Sequence, residues 1–125
     1  VEANFENEEE TVHADPDAIE RVLYNLIHNA IKFTQENGKI SIRTTSQKGK
    51  VIVTVEDNGI GMSKDDIDFI WNRFYKSDKS RSEDKKGTGL GLAIVKSIIM
   101  EHGQDIRAES ELGKGTRFIF TLEKP

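Results

Sequence analysis

The sequence predicts an α+β fold in which helices pack on one face of a single mixed sheet. Some segments place apolar residues every three or four positions, which is typical of amphipathic helices, and others alternate apolar with polar residues, which is typical of half-buried strands. Short turns that contain glycine, Lys48-Gly49 and Gly113-Lys114-Gly115 among them, separate alternating segments, so we expect hairpins between neighbouring strands. Residues 1–125 are expected to form one domain.

Composition excludes several classes of function. The chain has no cysteine, which rules out disulfides and thiolate metal sites, and its net charge of −4 argues against a nucleic-acid partner. No stretch approaches the roughly 20 apolar residues of a membrane span. We therefore expect a cytoplasmic domain that makes no direct membrane contact. Because the chain begins with Val1, we also expect it to be a piece of a longer protein, whose own membrane attachment stays open.

The first predicted helix runs from Asp15 to Thr34. Asp15 is placed as the N-cap, and Pro16 occupies the first helical position, where its missing N–H costs nothing. The apolar residues form one continuous stripe, which consists of Ile19, Val22, Leu23, Leu26, Ile27, Ala30 and Ile31.

The same helix also carries a polar row. Asn25, Asn29 and Lys32 recur at i, i+4 and i+7, and Phe33 follows them. Asparagine is a poor helix former, so two of them in mid-helix cost stability without a packing gain. A carboxamide oxygen suits Mg²⁺, and a lysine suits the phosphates that accompany Mg²⁺. For this helix alone, a solvated polar face with a basic end explains the row equally well.

Strands are predicted on both sides of this helix. Val1 to Glu6 is a short candidate, and Lys39 to Thr45 alternates before a second, buried strand that contains Val51, Val53 and Val55. That second strand runs directly into Asp57-Asn58-Gly59-Ile60-Gly61. A carboxylate at this point can accept hydrogen bonds from an amine, and the glycines let a flat ring approach the backbone. Taken alone, Asp57 is better explained as a turn-forming residue.

The C-terminal half predicts two more helices and two more strands. Ser63 and Asp66 form a capping-box pattern at the start of the second helix, whose apolar stripe reaches Phe74. The third helix, from about Leu90 to Glu101, is opened by a glycine cluster whose free N–H groups suit phosphate, although the ends of a flexible loop explain the cluster taken alone. The last strands lie near residues 105–110 and around Phe118, Phe120 and Leu122, with Gly113-Lys114-Gly115 as the turn between them.

Together these segments resemble the ATP-binding catalytic domain of sensor histidine kinases, within the superfamily that includes DNA gyrase B, Hsp90 and MutL. The resemblance covers nearly the whole chain and follows the family's order and spacing of motifs. It implies a two-layer α/β sandwich of Bergerat type, with three helices on a mixed five-stranded sheet and a mobile ATP lid from Lys76 to Lys86. The motifs are an N box at Asn25–Phe33, a first glycine box at Asp57–Gly61, an F box at Arg73–Lys76 and a second glycine box at Gly87–Leu92.

The resemblance also implies a site for ATP and Mg²⁺. Asn29 would supply an oxygen to Mg²⁺, while Asn25 and Lys32 would contact phosphate as catalytic residues. Asp57 would accept a hydrogen bond from the adenine amino group, and Thr116 would hold a bridging water. The other expected ATP-binding residues are Phe33, Gly59, Gly61, Tyr75, Lys76, Gly87, Thr88, Gly89, Leu90, Gly91 and Leu92.

The expected reaction is transfer of phosphate to a histidine of another domain. Asn25 stands where the hydrolytic members of the superfamily carry a glutamate, and a carboxamide cannot act as a general base, so we expect little hydrolysis. None of His13, His28 and His102 lies in the helical His-Glu or His-Asp context that this family phosphorylates. The expected partners are a phosphoacceptor and dimerisation helical domain of the same parent protein, and a response regulator downstream.

Two alternatives stay open. The first is a nucleotide-sensing interaction module that binds ATP or ADP without transferring phosphate, and the presence of Asn29, Lys32 and Asp57 counts against it. The second is the serine-kinase or ATPase branch of the same superfamily, and Asn25 counts against that branch.

Overall fold

The computed structural model describes residues 2–5, 14–34, 36–67, 69–71 and 91–123. The elements follow one another in the order strand, helix, two strands, two helices and two strands. Their bounds are β1 Glu2–Phe5, α1 Pro16–Phe33, β2 Lys39–Gln47, β3 Lys50–Asp57, α2 Lys64–Ile67, α3 Gly91–Glu101, β4 Ile106–Glu111 and β5 Gly115–Glu123.

The strands form one sheet in the order β1-β2-β3-β5-β4. β1 pairs with β2 in parallel, and the other three neighbouring pairs, β2 with β3, β3 with β5 and β5 with β4, are antiparallel. β3 lies at the centre, and its last residue, Asp57, is paired with Ile40 on one side and with Thr116 on the other. The predicted α+β class is therefore confirmed. The expected lid, from Lys76 to Lys86, lies outside the described residues.

α1 begins and ends close to its predicted bounds. Asp15 is the N-cap, and its Oδ1 accepts a hydrogen bond of 3.0 Å from the backbone N–H of Asp17. The inward face is narrower than the predicted stripe, because Ile31 is 51% exposed. The fully buried positions repeat every fourth residue and are Val22, Leu26 and Ala30.

The core lies between α1, α3 and the sheet. Inward-facing residues of β3 alternate with outward-facing ones, and those of β5 do the same, as period-two patterning requires. Trp71 contacts the edge of the Phe118 ring with the ring centroids 5.9 Å apart. The buried side chains of the two central strands are Val51, Val53, Val55, Phe118, Phe120 and Leu122.

The helices α2 and α3 have well-defined ends. Ser63 Oγ accepts a hydrogen bond of 3.1 Å from the N–H of Asp66, which confirms the predicted cap of α2. α2 itself comprises four residues, and Phe74, the end of its predicted stripe, lies outside the described part of the chain. α3 ends at Glu101, and Gly103 follows with a φ of +72° that lets the N–H of Gln104 reach back to the carbonyl of Ile99.

A ladder of ion pairs crosses the outward face of the sheet. Glu56 Oε2 lies 3.6 Å from Arg43 and 2.7 Å from Arg117. Glu109 in turn lies 3.4 Å from Arg117 and 3.8 Å from Arg107. Since these side chains are between 34% and 70% exposed, solvent screens each pair, and each contributes little to stability. We call these five residues the charge ladder.

Among the described residues, no helix is both long enough and apolar enough to cross a lipid bilayer.

The packing of α1 leads to a test of the core. Leu26 is fully buried, so Leu26→Ala is expected to lower the free energy of unfolding by about 2–5 kcal/mol. Ile31→Ala, on the same helix but half exposed, is the matched control and is expected to change it by less than about 1 kcal/mol. Urea denaturation followed by circular dichroism measures both. Equal losses in the two variants would contradict the observed orientation of α1.

Candidate functional site

Two polar side chains are buried in the described part of the chain, and they are neighbours. Asp57 is 6% exposed and Thr116 is 7% exposed. They are register partners on β3 and β5, and both lie on the helix side of the sheet, as do Val55 and Phe118 two positions away. Burial of polar groups costs free energy unless hydrogen bonds compensate for it, so a buried polar pair is unusual, and this end of the sheet is the candidate site.

The carboxylate of Asp57 is held in an unusual environment. Its Oδ1 accepts a hydrogen bond of 2.8 Å from the N–H of Gly59. Burial raises the pKa of Asp57 above its ordinary value of 3.8; the backbone N–H groups of Gly59 and Thr116 offset part of this rise, and the nearby charge of Glu56 adds to it. A buried carboxylate of this kind is a strong acceptor for a ligand that donates a hydrogen bond.

Gly59 lets the loop after β3 lie against the end of α1. A Cβ atom at Gly59 would stand 2.1 Å from the carbonyl oxygen of Phe33, so no other residue fits there without a shift of the backbone. The N–H of Ile60 donates to the same carbonyl over 3.1 Å. The loop that carries Asp57 is therefore fixed to the helix that carries the polar row.

Two further glycines fix the loop on its other side. Gly61 has a φ of +73°, and a Cβ there would lie 2.1 Å from the carbonyl oxygen of Glu111 in β4. Gly115 has a φ of +125°, and a Cβ there would lie 2.0 Å from the carbonyl oxygen of Asp57. The loop thus packs, backbone to backbone, between α1 and the β4–β5 turn.

Ser110 belongs to this site, although sequence analysis did not identify it. Its Oγ accepts a hydrogen bond of 2.7 Å from the N–H of Met62 and lies 2.8 Å from the hydroxyl oxygen of Thr116. The alternation in β4 contained a usable signal, because Ile106 and Ala108 face the core and a serine two residues later continues the same face. A polar residue at an inward-facing strand position requires a partner.

The polar row of α1 borders the buried stripe. Asn25, Asn29 and Lys32 are each half-buried, and Asn25 Nδ2 donates 2.9 Å to the carbonyl of Arg21. A Cβ at Gly91 would lie 3.2 Å from Asn25 Oδ1, so the start of α3 lies against this row. The row thus extends from the N-terminus of α3 towards the Gly59 loop, a distance of about 12 Å along the helix axis.

The remaining predicted site residues divide into two groups. Phe33 is half-buried, and its ring centroid lies 5.8 Å from Lys32 Nζ. Leu92 packs against the core, one residue after the start of α3. The residues that lie outside the described part of the chain are Tyr75, Lys76, Gly87, Thr88, Gly89 and Leu90.

The side chains present suit a metal that arrives with phosphate. Among the described residues, no group of three His, Asp or Glu side chains could hold a metal ion. Asn29 offers a neutral carboxamide, which is a ligand that Mg²⁺ accepts when phosphate oxygens and water complete its coordination.

A groove of about 570 Å³ opens on the outward face of the same end of the sheet. Its lining combines Glu56, Glu109 and Arg117 of the charge ladder with Asp57, Ser110 and Thr116 of the candidate site. Ion pairs between its own side chains already satisfy these charges. The strand alternation nevertheless turns the side chains of Asp57 and Thr116 towards the helix side of the sheet.

Comparison with known proteins assigns the chain to a family. Residues 14–125 match the sequence profile of the family described as histidine kinase-, DNA gyrase B-, and HSP90-like ATPase. The chain is 40% identical to the sensor protein RprX of Bacteroides fragilis over 98% of its own length and 24% of that protein. It is 44% identical to the sensor protein SrrB of Staphylococcus aureus over 89% of its length and 19% of that protein. The chain thus spans about a quarter or less of these relatives.

Solved structures agree with this assignment. The nucleotide-free catalytic domain of histidine kinase ThkA superposes with a TM-score of 0.81 at 38% identity, over 98% of this chain and 78% of that one. Full-length ShkA in complex with AMPPNP superposes with a TM-score of 0.82 at 31% identity, over 97% of this chain and 25% of that one. The chain belongs to the histidine kinase-, DNA gyrase B- and HSP90-like ATPase family, and it is a catalytic ATPase domain of the sensor histidine kinase kind.

Proposed function

We propose that this domain binds Mg²⁺-ATP and donates its γ-phosphoryl group to a histidine in a helical domain of the same parent protein, which then passes it to a response regulator. The observation that carries the proposal is the buried acceptor pair Asp57 and Thr116, which lies near the end of a helix that bears a polar, partly cationic row. One end of the site suits a base with an amino group, and the other suits phosphates.

The base end selects for a hydrogen-bond donor. A carboxylate accepts hydrogen bonds and, when ionised, donates none. An adenine presents an exocyclic amino group, whereas a guanine presents a carbonyl at the same ring position, so its oxygen would face the charge of Asp57. A site built to hydrogen-bond one group rejects the analogue that lacks it, because its buried polar atoms are then left unpaired.

The phosphate end combines three features. Lys32 supplies a positive charge, Asn25 and Asn29 supply carboxamides, and the N-terminus of α3 lies against Asn25. Free N–H groups and the dipole at the start of a helix favour an anion. Mg²⁺, when bound to Asn29 and the phosphates, neutralises part of their charge. The residues of the chain hold and orient the triphosphate.

The lack of a carboxylate at position 25 supports transfer over hydrolysis. A carboxamide cannot take a proton from water at neutral pH, so water near the γ-phosphate is not activated. Positioning and charge neutralisation account for most of what phosphoryl transfer requires of a protein. The attacking histidine is supplied by another domain, and several similar proteins are sensor kinases much longer than this chain.

Nucleotide binding provides the first test. Isothermal titration of the chain with ATP and Mg²⁺ is expected to give saturable binding, and GTP is expected to bind far more weakly. Asp57→Asn is expected to weaken ATP binding by about 10- to 100-fold, because a hydrogen bond to a charged group contributes about 1.5–3 kcal/mol.

Asn37→Ala, an exposed turn residue outside the site, is the control and is expected to bind like the original chain. If ATP bound Asp57→Asn as tightly as the original chain, or if ATP and GTP bound equally well, the proposed function would fail and only the similarity of fold would remain. Rapid release of phosphate by the chain alone would favour the hydrolytic branch of the superfamily.

Removal of the metal tests the role of Asn29. We expect EDTA to weaken ATP binding by the original chain, because Asn29 can no longer act through a metal. In Asn29→Ala, the increase in ATP affinity that Mg²⁺ causes is expected to be at least about tenfold smaller than in the original chain. Metal-free ATP is expected to bind the variant normally. Titrations of both proteins with and without Mg²⁺ measure this difference. The same Mg²⁺ gain in both proteins would exclude Asn29 as a ligand.

The buried charge of Asp57 predicts a pH-dependent stability. Its folded-state pKa is raised, so its contribution to stability is fully present below the unfolded pKa and is lost as the pH rises through the folded pKa. Asp57→Asn lacks this titration. The free energy of unfolding of Asp57→Asn minus that of the original chain should therefore increase from acidic pH towards neutral pH and then stay constant. Urea denaturation across that range checks it, and a constant or falling difference would contradict the raised pKa.

A further inference from the structure

Ser110 makes three polar contacts at the base end of the site. The N–H of Met62 donates to its Oγ over 2.7 Å, its hydroxyl donates to the carbonyl of Gly115 over 2.9 Å, and the hydroxyl oxygen of Thr116 lies 2.8 Å away. It faces the same side of the sheet as Thr116, and Thr116 is the register partner of both Ser110 and Asp57.

The direction of the bond between the two hydroxyls follows from counting donors. A serine hydroxyl has one proton and two lone pairs. A carbonyl oxygen only accepts, so the proton of Ser110 is committed to Gly115, and one lone pair is committed to the N–H of Met62. The second lone pair of Ser110 then accepts the proton of Thr116. This is the only assignment of donors and acceptors that satisfies all three contacts.

Thr116 consequently presents only lone pairs to a ligand. Its proton is used within the protein, and its neighbour Asp57 is also an acceptor. A water that bridges these two acceptors donates both of its protons to them and shows only lone pairs to the base. With or without such a water, this end of the site offers only acceptors, and an acceptor on the protein disfavours a carbonyl oxygen at position 6 of a purine.

We infer that Ser110 is a positioning residue that fixes the proton of Thr116 and thereby increases the discrimination of a 6-amino purine from a 6-oxo purine. This inference rests on the proposed function, because it places the base beside Asp57 and Thr116. Without Ser110, the Thr116 hydroxyl is free to rotate and to donate to a carbonyl oxygen. A 6-oxo base then regains a partner that the original site denies it.

The positioning role of Ser110 can be distinguished from a purely structural role. Loss of the bond to Met62 alone would loosen the loop after Gly61 and weaken every nucleotide by the same factor. If the Thr116 proton is no longer held in one direction, the ratio of the affinities for the two nucleotides changes. The ratio is therefore the decisive quantity, and the absolute affinity is not.

The experiment compares ATP with inosine triphosphate, whose base carries a carbonyl at position 6. Titration calorimetry gives both affinities for the 125-residue chain and for Ser110→Ala, Ser110→Thr and Thr116→Val. We expect Ser110→Ala to lower the ratio of the affinity for ATP to that for inosine triphosphate by about 3- to 10-fold, which corresponds to the contribution of one neutral hydrogen bond. Ser110→Thr retains the hydroxyl and is expected to retain the ratio.

Two controls complete the design. In the Thr116→Val background, Ser110→Ala is expected to leave the ratio unchanged, because the positioned hydroxyl is already absent. Should Ser110→Ala fail to fold by circular dichroism, Ser110→Cys, whose thiol is a weak donor and acceptor, carries the same expectation.

The outcomes separate this inference from the proposed function. An original chain that discriminates the two nucleotides and a Ser110→Ala variant with the same ratio would overturn the inference and leave ATP binding intact. An original chain that does not discriminate them, or binds neither, would overturn both.

Discussion

Three contacts between backbone segments are too close to admit a side chain, and the whole site depends on them. Gly59 lies against the end of α1, Gly61 against β4, and Gly115 against Asp57 itself. Any Cβ at these places would meet a carbonyl oxygen at about 2 Å, within the distance at which backbone must move. These contacts fix the backbone of the loop after β3, whose Gly59 N–H donates to the carboxylate of Asp57.

This rigidity explains how one helix can serve both the core and the site. α1 buries Val22, Leu26 and Ala30 against the sheet, and its polar row begins immediately beside that stripe. The packing of the stripe therefore sets the height and rotation of Asn25 and Asn29. A site on rigid elements holds its groups more accurately than a site on loops, and here the loop is itself clamped to the helix.

The features that the sequence predicts well are local ones. The Asp15 cap, the helix around Leu26 and the hairpin at Lys48-Gly49 depend on residues within a few positions of each other. The position of Asp57 at the end of a buried strand follows from alternation and a glycine turn. The nucleotide ligand is predicted from the four motifs together, because their order over the whole chain is more specific than any single pattern.

The features that it misses depend on distant neighbours. Ile31 fits the helical period, yet it is half exposed because α3 and the sheet cover only the narrower face through Leu26. Ser110 gains its importance from Met62 and Thr116, which only the folded sheet brings to it. The charge ladder likewise depends on the register of four strands, which the amino-acid composition does not specify. For α2, the apolar stripe through Phe74 stays a prediction, because Phe74 lies outside the described residues.

The pairing of β3 with β5 has a further consequence for how the site comes into being. Glu56 and Arg117, next to the two buried acceptors, are 61 residues apart in the chain, whereas β2 and β3 are joined by a tight turn. Closing the longer loop costs entropy before any contact rewards it, so the hairpin can form long before the acceptor pair does. No contiguous part of the chain without β5 contains both acceptors. The buried acceptor pair is thus a property of the completed sheet, and a chain released before its last strand has been made carries the polar row of α1 without that pair.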